Sequence, residues 1–288
     1  MNVPLKERVA VAAQHLLPKQ ALTSLAGVAA RAHGGAATTA AIRWFIGRYG
    51  VNMAEAMDPN PAAYASFNDF FTRALKPGAR PLAQADLICP VDGAISQFGA
   101  IDGERIFQAK GHSYTATQLL GGDSALAAHF HGGHFATLYL SPKDYHRIHM
   151  PCAGRLLRMI HVPGELFSVN PATARGVPGL FARNERVVCV FDGPHGVWVN
   201  VLVGATIVGS MATVWHGVVN PPRPGTVRDW RYNEPGNDQN IDLAQGAEMG
   251  RFLLGSTVVL LFPQGPLRFN PAWTPGRAIR MGEVMASR

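Results

Sequence analysis

Cysteine is scarce in this chain. Three thiols among 288 residues, Cys89, Cys152 and Cys189, are odd in number and form no C-x-x-C pair. That excludes a disulfide framework and a cysteine-built zinc site, and it suits a reducing compartment. Charge is sparse as well, at 16% against 47% hydrophobic residues, a balance typical of folded rather than disordered chains. No apolar run reaches the roughly 18 residues that a membrane-spanning helix requires. The apolar patch Val9–Ala13 is interrupted by Gln14 and His15, which argues against a secretory signal. Internal repeats and phosphate-binding glycine loops are missing too. Acidic residues are nearly absent from the first 50 positions. Glu7 alone stands there against Lys6, Arg8, Lys19, Arg31, Arg43 and Arg48, so this segment carries +5 of the total +7.

What is present begins with that basic segment, which reads as three short helices. Val9, Ala12, Ala13, Leu16 and Leu17 form one apolar stripe, and Pro18 ends it. A second helix is expected over about Ala21–Ala32, with Leu22, Leu25, Val28 and Ala29 on one side. A third is expected over about Thr38–Tyr49, with Ile42, Phe45, Ile46 and Tyr49 on one face and Trp44 at its margin. Basic amphipathic helices with boundary aromatics suit an anionic membrane surface. The basic residues are spread out with no binding motif, which disfavours nucleic acid. Asp58-Pro59-Asn60-Pro61 is the best boundary, dividing 1–60 from 61–288. Ser66-Phe67-Asn68-Asp69 has the form of a capping box. Beyond Ile88 the chain becomes short strands between turns built from its 31 glycines and 21 prolines. Expected strands are Ala94–Phe98, Phe135–Leu140, Arg186–Phe191, Val197–Val203 and Thr206–Val214, with Asp192–Gly196 as a hairpin loop. The expectation is an α+β fold, a β-rich catalytic body preceded by short amphipathic helices.

Chemistry is concentrated in a few places. Phe252–Phe262 is an apolar strand broken by Gly255-Ser256-Thr257, where a hydroxyl follows a residue without a Cβ. On these eleven residues alone an ordinary core strand whose hydroxyls bond locally is the favoured reading. His129, His131, His134, His146 and His149 lie close in sequence, yet no cysteine or carboxylate set at metal spacing accompanies them, so no metal site is expected. His146 and His149 follow a strand end at Ser141-Pro142 and precede Met150-Pro151, a placement suited to acid–base work near neutral pH. Asp92 sits in an Asp-Gly turn inside an apolar run. It is either a turn former or the group that orients a histidine. On the second reading Asp92, His149 and Ser256 are orienter, base and nucleophile.

Five segments extend this reading: Phe67-Asn68-Asp69-Phe70-Phe71-Thr72-Arg73; Pro90-Val91-Asp92-Gly93; Leu140-Ser141-Pro142 with Asp144-Tyr145-His146-Arg147-Ile148-His149-Met150-Pro151; Leu166-Phe167-Ser168-Val169-Asn170; and Glu248-Met249-Gly250-Arg251-Phe252 with Leu254-Gly255-Ser256-Thr257. In this order they resemble the proenzyme type of phosphatidylserine decarboxylase, a pyruvoyl-dependent enzyme. The resemblance covers residues 67 to 257, and the first 60 residues match in character only.

The resemblance implies that the chain cuts itself between Gly255 and Ser256. His149, held by Asp92, would take the Ser256 proton, and the serine oxygen would attack the Gly255 carbonyl. Elimination and hydrolysis would convert Ser256 into a covalent pyruvoyl group (pyruvate), leaving a large chain 1–255 bound to a small chain 256–288. That ketone would condense with the amine of phosphatidylserine and draw in electrons as carbon dioxide leaves, giving phosphatidylethanolamine without metal or diffusible cofactor. His146 would serve decarboxylation, with Phe167 and Ser168 near the substrate. The implied setting is the cytoplasmic face of the cell membrane, peripherally bound, with room for a dimer of the cut heterodimers. Two rivals stay open: a serine hydrolase using Asp92, His149 and Ser256, though Gly-x-Ser-x-Gly is lacking, and a membrane-binding β-barrel protein without enzymatic activity.

Overall fold

The computed structural model describes Gln14 and residues 18–206, 210–223, 225–232, 234, 237, 239–253 and 257–288. Strand Thr257–Phe262 occupies the middle of the largest sheet. It pairs antiparallel with His134–Tyr139 on one side and with Gly196–Val203 on the other. Beyond the first neighbour lie Gly93–Ala100 and Ala278–Ile279. Beyond the second lie Arg186–Gly193, Gly154–Val162 and Arg228–Arg231, while Asp242–Leu243 also pairs with Gly154–Val162. Side chains of a strand alternate between faces, and both faces are covered here. Val258, Leu260 and Phe262 join one core with Leu138, Trp198 and Phe252. Val259 and Leu261 join another with Phe135, Phe181 and Val201. Two-sided cover explains the unbroken apolar run, and each such side chain contributes about 1.5–3 kcal/mol on burial.

A four-stranded sheet, ordered Gly217–Asn220, Met211–Thr213, Glu248–Phe252 and Arg147–His149, carries the second histidine. The hairpin at Asp192–Gly196 forms as the sequence suggests, with Gly193 opposite Gly196. The strand expected over Thr206–Val214 is shorter. Its described strand residues are Met211–Thr213, and residues 207–209 lie outside the described set. The Thr206 hydroxyl donates to the Leu166 carbonyl.

Two of the three expected helices are described, Lys19–Arg31 and Ala36–Tyr49. The first lies outside the described residues except for Gln14, which is helical. Gly50, in the left-handed conformation, ends the Ala36–Tyr49 helix with its N–H on the Ile46 carbonyl. Ile42 of that helix packs with Val51, Phe70 and Phe71, and the Phe45 ring meets Phe67, Phe70 and Phe71 at 5.1, 5.9 and 6.0 Å. Helix Phe67–Phe71 opens with the expected capping box, the Ser66 and Asp69 side chains each bonding the other's backbone N–H. The apolar stripe of Lys19–Arg31 faces outward. Leu25 and Val28 are 69% and 64% exposed, whereas Thr23 and Ala30 are buried. No helix among the described residues is long and apolar enough to cross a membrane.

Candidate active site

The loop that bears His146 and leads into strand Arg147–His149 is shaped by its own polar residues. Ser141 N–H donates to the Asp144 carboxylate at 2.7 Å, and Asp144 N–H returns to the Ser141 carbonyl at 3.0 Å. Distant segments lace it in place. Arg73 donates to the Lys143 carbonyl at 3.2 Å, and Arg147 donates to the Thr72 carbonyl at 2.9 Å and to Glu248 at 2.9 Å. Met150 N–H bonds the Ala247 carbonyl, and His149 N–H bonds the Pro90 carbonyl at 2.8 Å. Four of the five quoted segments thus meet around residues 143–150.

His146 is fully buried, with its ring against Phe71 at a centroid distance of 4.0 Å. Nδ1 lies 2.8 Å from the Asp144 carbonyl, so it carries the hydrogen and Nε2 carries the lone pair. Nε2 has no partner among the described residues. Burial, with the Arg73 cation adding to it, pushes this imidazole down to about 3. His146 is therefore a neutral base at working pH.

His149 is placed similarly. Its Nδ1 lies 2.8 Å from the Gly246 carbonyl, and its Nε2 lies 3.0 Å from the Tyr145 hydroxyl. Gly246 offers that carbonyl from a left-handed turn at φ +79°. Burial again lowers the imidazole, and the Gly246 carbonyl opposes it. Asp92 is buried nearby, but its hydrogen bonds run elsewhere. It accepts from Arg80 Nε at 2.8 Å, from Arg80 Nη2, and from Met281 N–H at 2.9 Å. Among the described residues the Asp92–His149 pair is thus not directly hydrogen-bonded. Asp92 acts on His149 as a nearby charge that favours the imidazolium. The turn behind Asp92 needs glycine, since a Cβ on Gly93 would sit 2.3 Å from the Tyr139 carbonyl oxygen.

Gly255 and Ser256 lie outside the described residues, but both flanks are fixed. Phe252 N–H bonds the His146 carbonyl at 3.1 Å and Leu253 N–H bonds the Ser210 carbonyl at 3.0 Å. On the far side Thr257 is buried between Tyr139 and Val203, its Oγ1 without a partner among the described residues. A cavity of about 720 Å³ opens beside this point. Phe71, Tyr139, Ser168, Val169 and Ala205 form its wall on the body side, and alanines of the two helices, among them Ala29 and Ala41, form the other. Phe167 is buried rather than on that wall, with the Lys19 Nζ 3.5 Å above its ring.

Sequence reasoning missed Tyr145, Gly246, Arg80 and Arg73. Tyr145 and Arg73 lie inside the quoted segments and could have been weighed there. Arg80 and Gly246 gave no such signal.

Two buried imidazoles, each with Nδ1 tied to a carbonyl and the lone pair left on Nε2, fit an enzyme of acid–base chemistry on an α+β scaffold. The comparisons specify which. Residues 67–287 match the model of the phosphatidylserine decarboxylase family, and residues 9–50 match a further one described as PSD. The chain is 74% identical over 281 residues to the phosphatidylserine decarboxylase proenzyme of Azoarcus sp. (strain BH72), covering 98% of this chain and 96% of that protein. It is 71% identical to the proenzyme of Polaromonas naphthalenivorans (strain CJ2), at 98% and 97% coverage, and 71% identical to that of Delftia acidovorans (strain DSM 14801 / SPH-1), at 99% of each. The chain belongs to the phosphatidylserine decarboxylase family.

Proposed function

We propose that the chain is a proenzyme that cuts itself between Gly255 and Ser256 and then decarboxylates phosphatidylserine to phosphatidylethanolamine. What supports this is the family match over residues 67–287 together with two buried histidines on the segment that pairs with Glu248–Phe252, the strand that leads to the gap between Leu253 and Thr257. For self-cleavage His149 is the base for the Ser256 hydroxyl, and Asp92 stabilises the resulting imidazolium across space. The absence of a Cβ at Gly255 admits the close attack.

The residues present fit a covalent pyruvoyl group at position 256. Among the described residues Thr257 Oγ1 is a buried hydroxyl without a partner, able to donate to a carbonyl oxygen, and His146 Nε2 is an acceptor without one. That group supplies an electrophilic ketone able to accept the electron pair released as carbon dioxide leaves. His146 serves the decarboxylation step by moving a proton at Nε2 to the product carbon. Phe71 and the cavity wall exclude water from that nitrogen. Ser168 and Phe167 lie on the substrate side, the first at the wall and the second supporting it.

Residues 1–60 form the membrane-contact region and 61–288 the catalytic domain. Leu25, Val28 and Trp44, all more than half exposed, together with Arg31, Arg43 and Arg48, favour an anionic bilayer surface on the cytoplasmic side. After the cut the small chain stays with the large one, and two such heterodimers can pair. The test is to follow chain composition and carbon dioxide release together. His149→Ala should remain uncut and inactive, whereas His146→Ala should be cut yet release little carbon dioxide. A serine hydrolase would stay one chain in its active form.

A further inference from the structure

Gly246 reaches His149 from a turn zipped to the strand that carries the histidine. Its N–H donates to the Met150 carbonyl at 2.9 Å, and Met150 N–H returns to the Ala247 carbonyl at 2.9 Å. Ala247 N–H closes the turn on the Ala244 carbonyl at 3.1 Å. A Cβ on Gly246 would collide with Leu82, and φ is +79° there, so the position suits glycine alone. The Gly246 carbonyl then lies 2.8 Å from His149 Nδ1. That contact keeps the hydrogen on Nδ1 and the lone pair on Nε2. The other tautomer would set two lone pairs against each other and leave no base at Nε2.

The residue before this glycine ties the turn to its surroundings. Gln245 Nε2 lies 3.0 Å from the Ala85 carbonyl, 3.2 Å from the Asp86 carbonyl and 3.0 Å from the Pro151 carbonyl. Three carbonyl oxygens can be met only by the amide nitrogen, so the side chain has one orientation here. The Pro151 carbonyl also accepts Ile88 N–H at 2.9 Å. Gln245 thus joins its own turn, the end of the histidine segment and residues 85–86. We infer that Gln245 is a positioning residue for His149, holding the Gly246 carbonyl on Nδ1 so that Nε2 stays the basic nitrogen. Its importance for self-cleavage rests on the assignment of His149 as the base.

The tautomer can be read from nuclear magnetic resonance of isotopically labelled imidazole nitrogens, at a pH where His149 is neutral. The full chain with Ser256→Ala keeps parent and variants alike uncut for this measurement. The hydrogen should reside on Nδ1 when Gln245 is present. Gln245→Met keeps the length and removes the donors, so His149 should become a mixture of tautomers. With Ser256 restored, that variant should cut itself about 10²-fold more slowly, the loss that a displacement of about 1 Å can bring. Gln245→Ala is a second reading of the same loss. Gln245→Lys returns donors at similar reach and should recover the parent spectrum and most of the rate. A merely structural glutamine would lower the unfolding temperature of these variants without moving the nitrogen signals. Parent-like tautomers in Gln245→Met and Gln245→Ala overturn the inference, as does a lysine variant that behaves like them. Mixed tautomers with cutting at the parent rate uphold the positioning and fail the assignment of the base instead, so the two failures are told apart.

Discussion

His146 and His149 stand three positions apart in different surroundings. Nε2 of His146 faces no described partner, while Nε2 of His149 meets a hydroxyl. Replacing His146 by alanine should leave cleavage intact and lower turnover by about 10²–10⁴-fold, the usual range for a lost acid–base group. Normal carbon dioxide release from that variant would reassign the residue. Burial also gives His146 a pH signature. Between its ordinary value of 6.5 and its buried value of about 3, the unfolded chain binds a proton that the folded chain refuses. Stability must then fall as pH drops through that window. Urea midpoints at pH 7 and pH 4.5 should show the fall, and His146→Ala should make it shallower. A variant with the parent's slope would remove His146 from this role. Arg80 joins Asp92 and Glu55 with little exposure of its own side chain. Arg80→Ala should cost about 3–5 kcal/mol in chemical unfolding, because it strands a buried carboxylate. A loss under about 1 kcal/mol would show that Asp92 needs no such partner.

At the scale of elements, strand Thr257–Phe262 does two jobs. Its side chains bind two cores together, and its ladders on both sides hold whatever begins at position 256. Leu260→Ala should destabilise by about 2–5 kcal/mol, and the cut chains should elute together until denaturant is added. Separation of the chains in plain buffer would contradict this. Much of this level was legible beforehand. The runs at His134–Tyr139, Arg186–Gly193 and Gly196–Val203 announce strands by composition, and Ser66 with Asp69 announces a capped helix. The outward turn of the Lys19–Arg31 stripe was not legible. Periodicity reveals that Leu22, Leu25 and Val28 share a side, but not whether body or bilayer lies against it. The partners of Asp92 and His149 escaped for a related reason. Arg80, Gly246 and Met281 reach them through tertiary packing, which local spacing does not encode.

For the molecule as a whole, basic charge and exposed apolar side chains are gathered at one end of the chain. Removing residues 1–50 should weaken binding to vesicles containing anionic lipid, and the parent's binding should itself decline as salt rises, since screening shortens the reach of surface charge. Undiminished binding by the truncated chain would place the contact elsewhere. The same helices wall the cavity together with Phe71, Tyr139 and Ser168 of the body. The most direct test of the whole account is the intact mass of purified, active protein. Two chains are expected, 1–255 and 256–288, the second beginning with a pyruvoyl group and therefore blocked to sequencing from its N-terminus. Active protein consisting of a single uncut chain of 30.9 kDa would contradict the account.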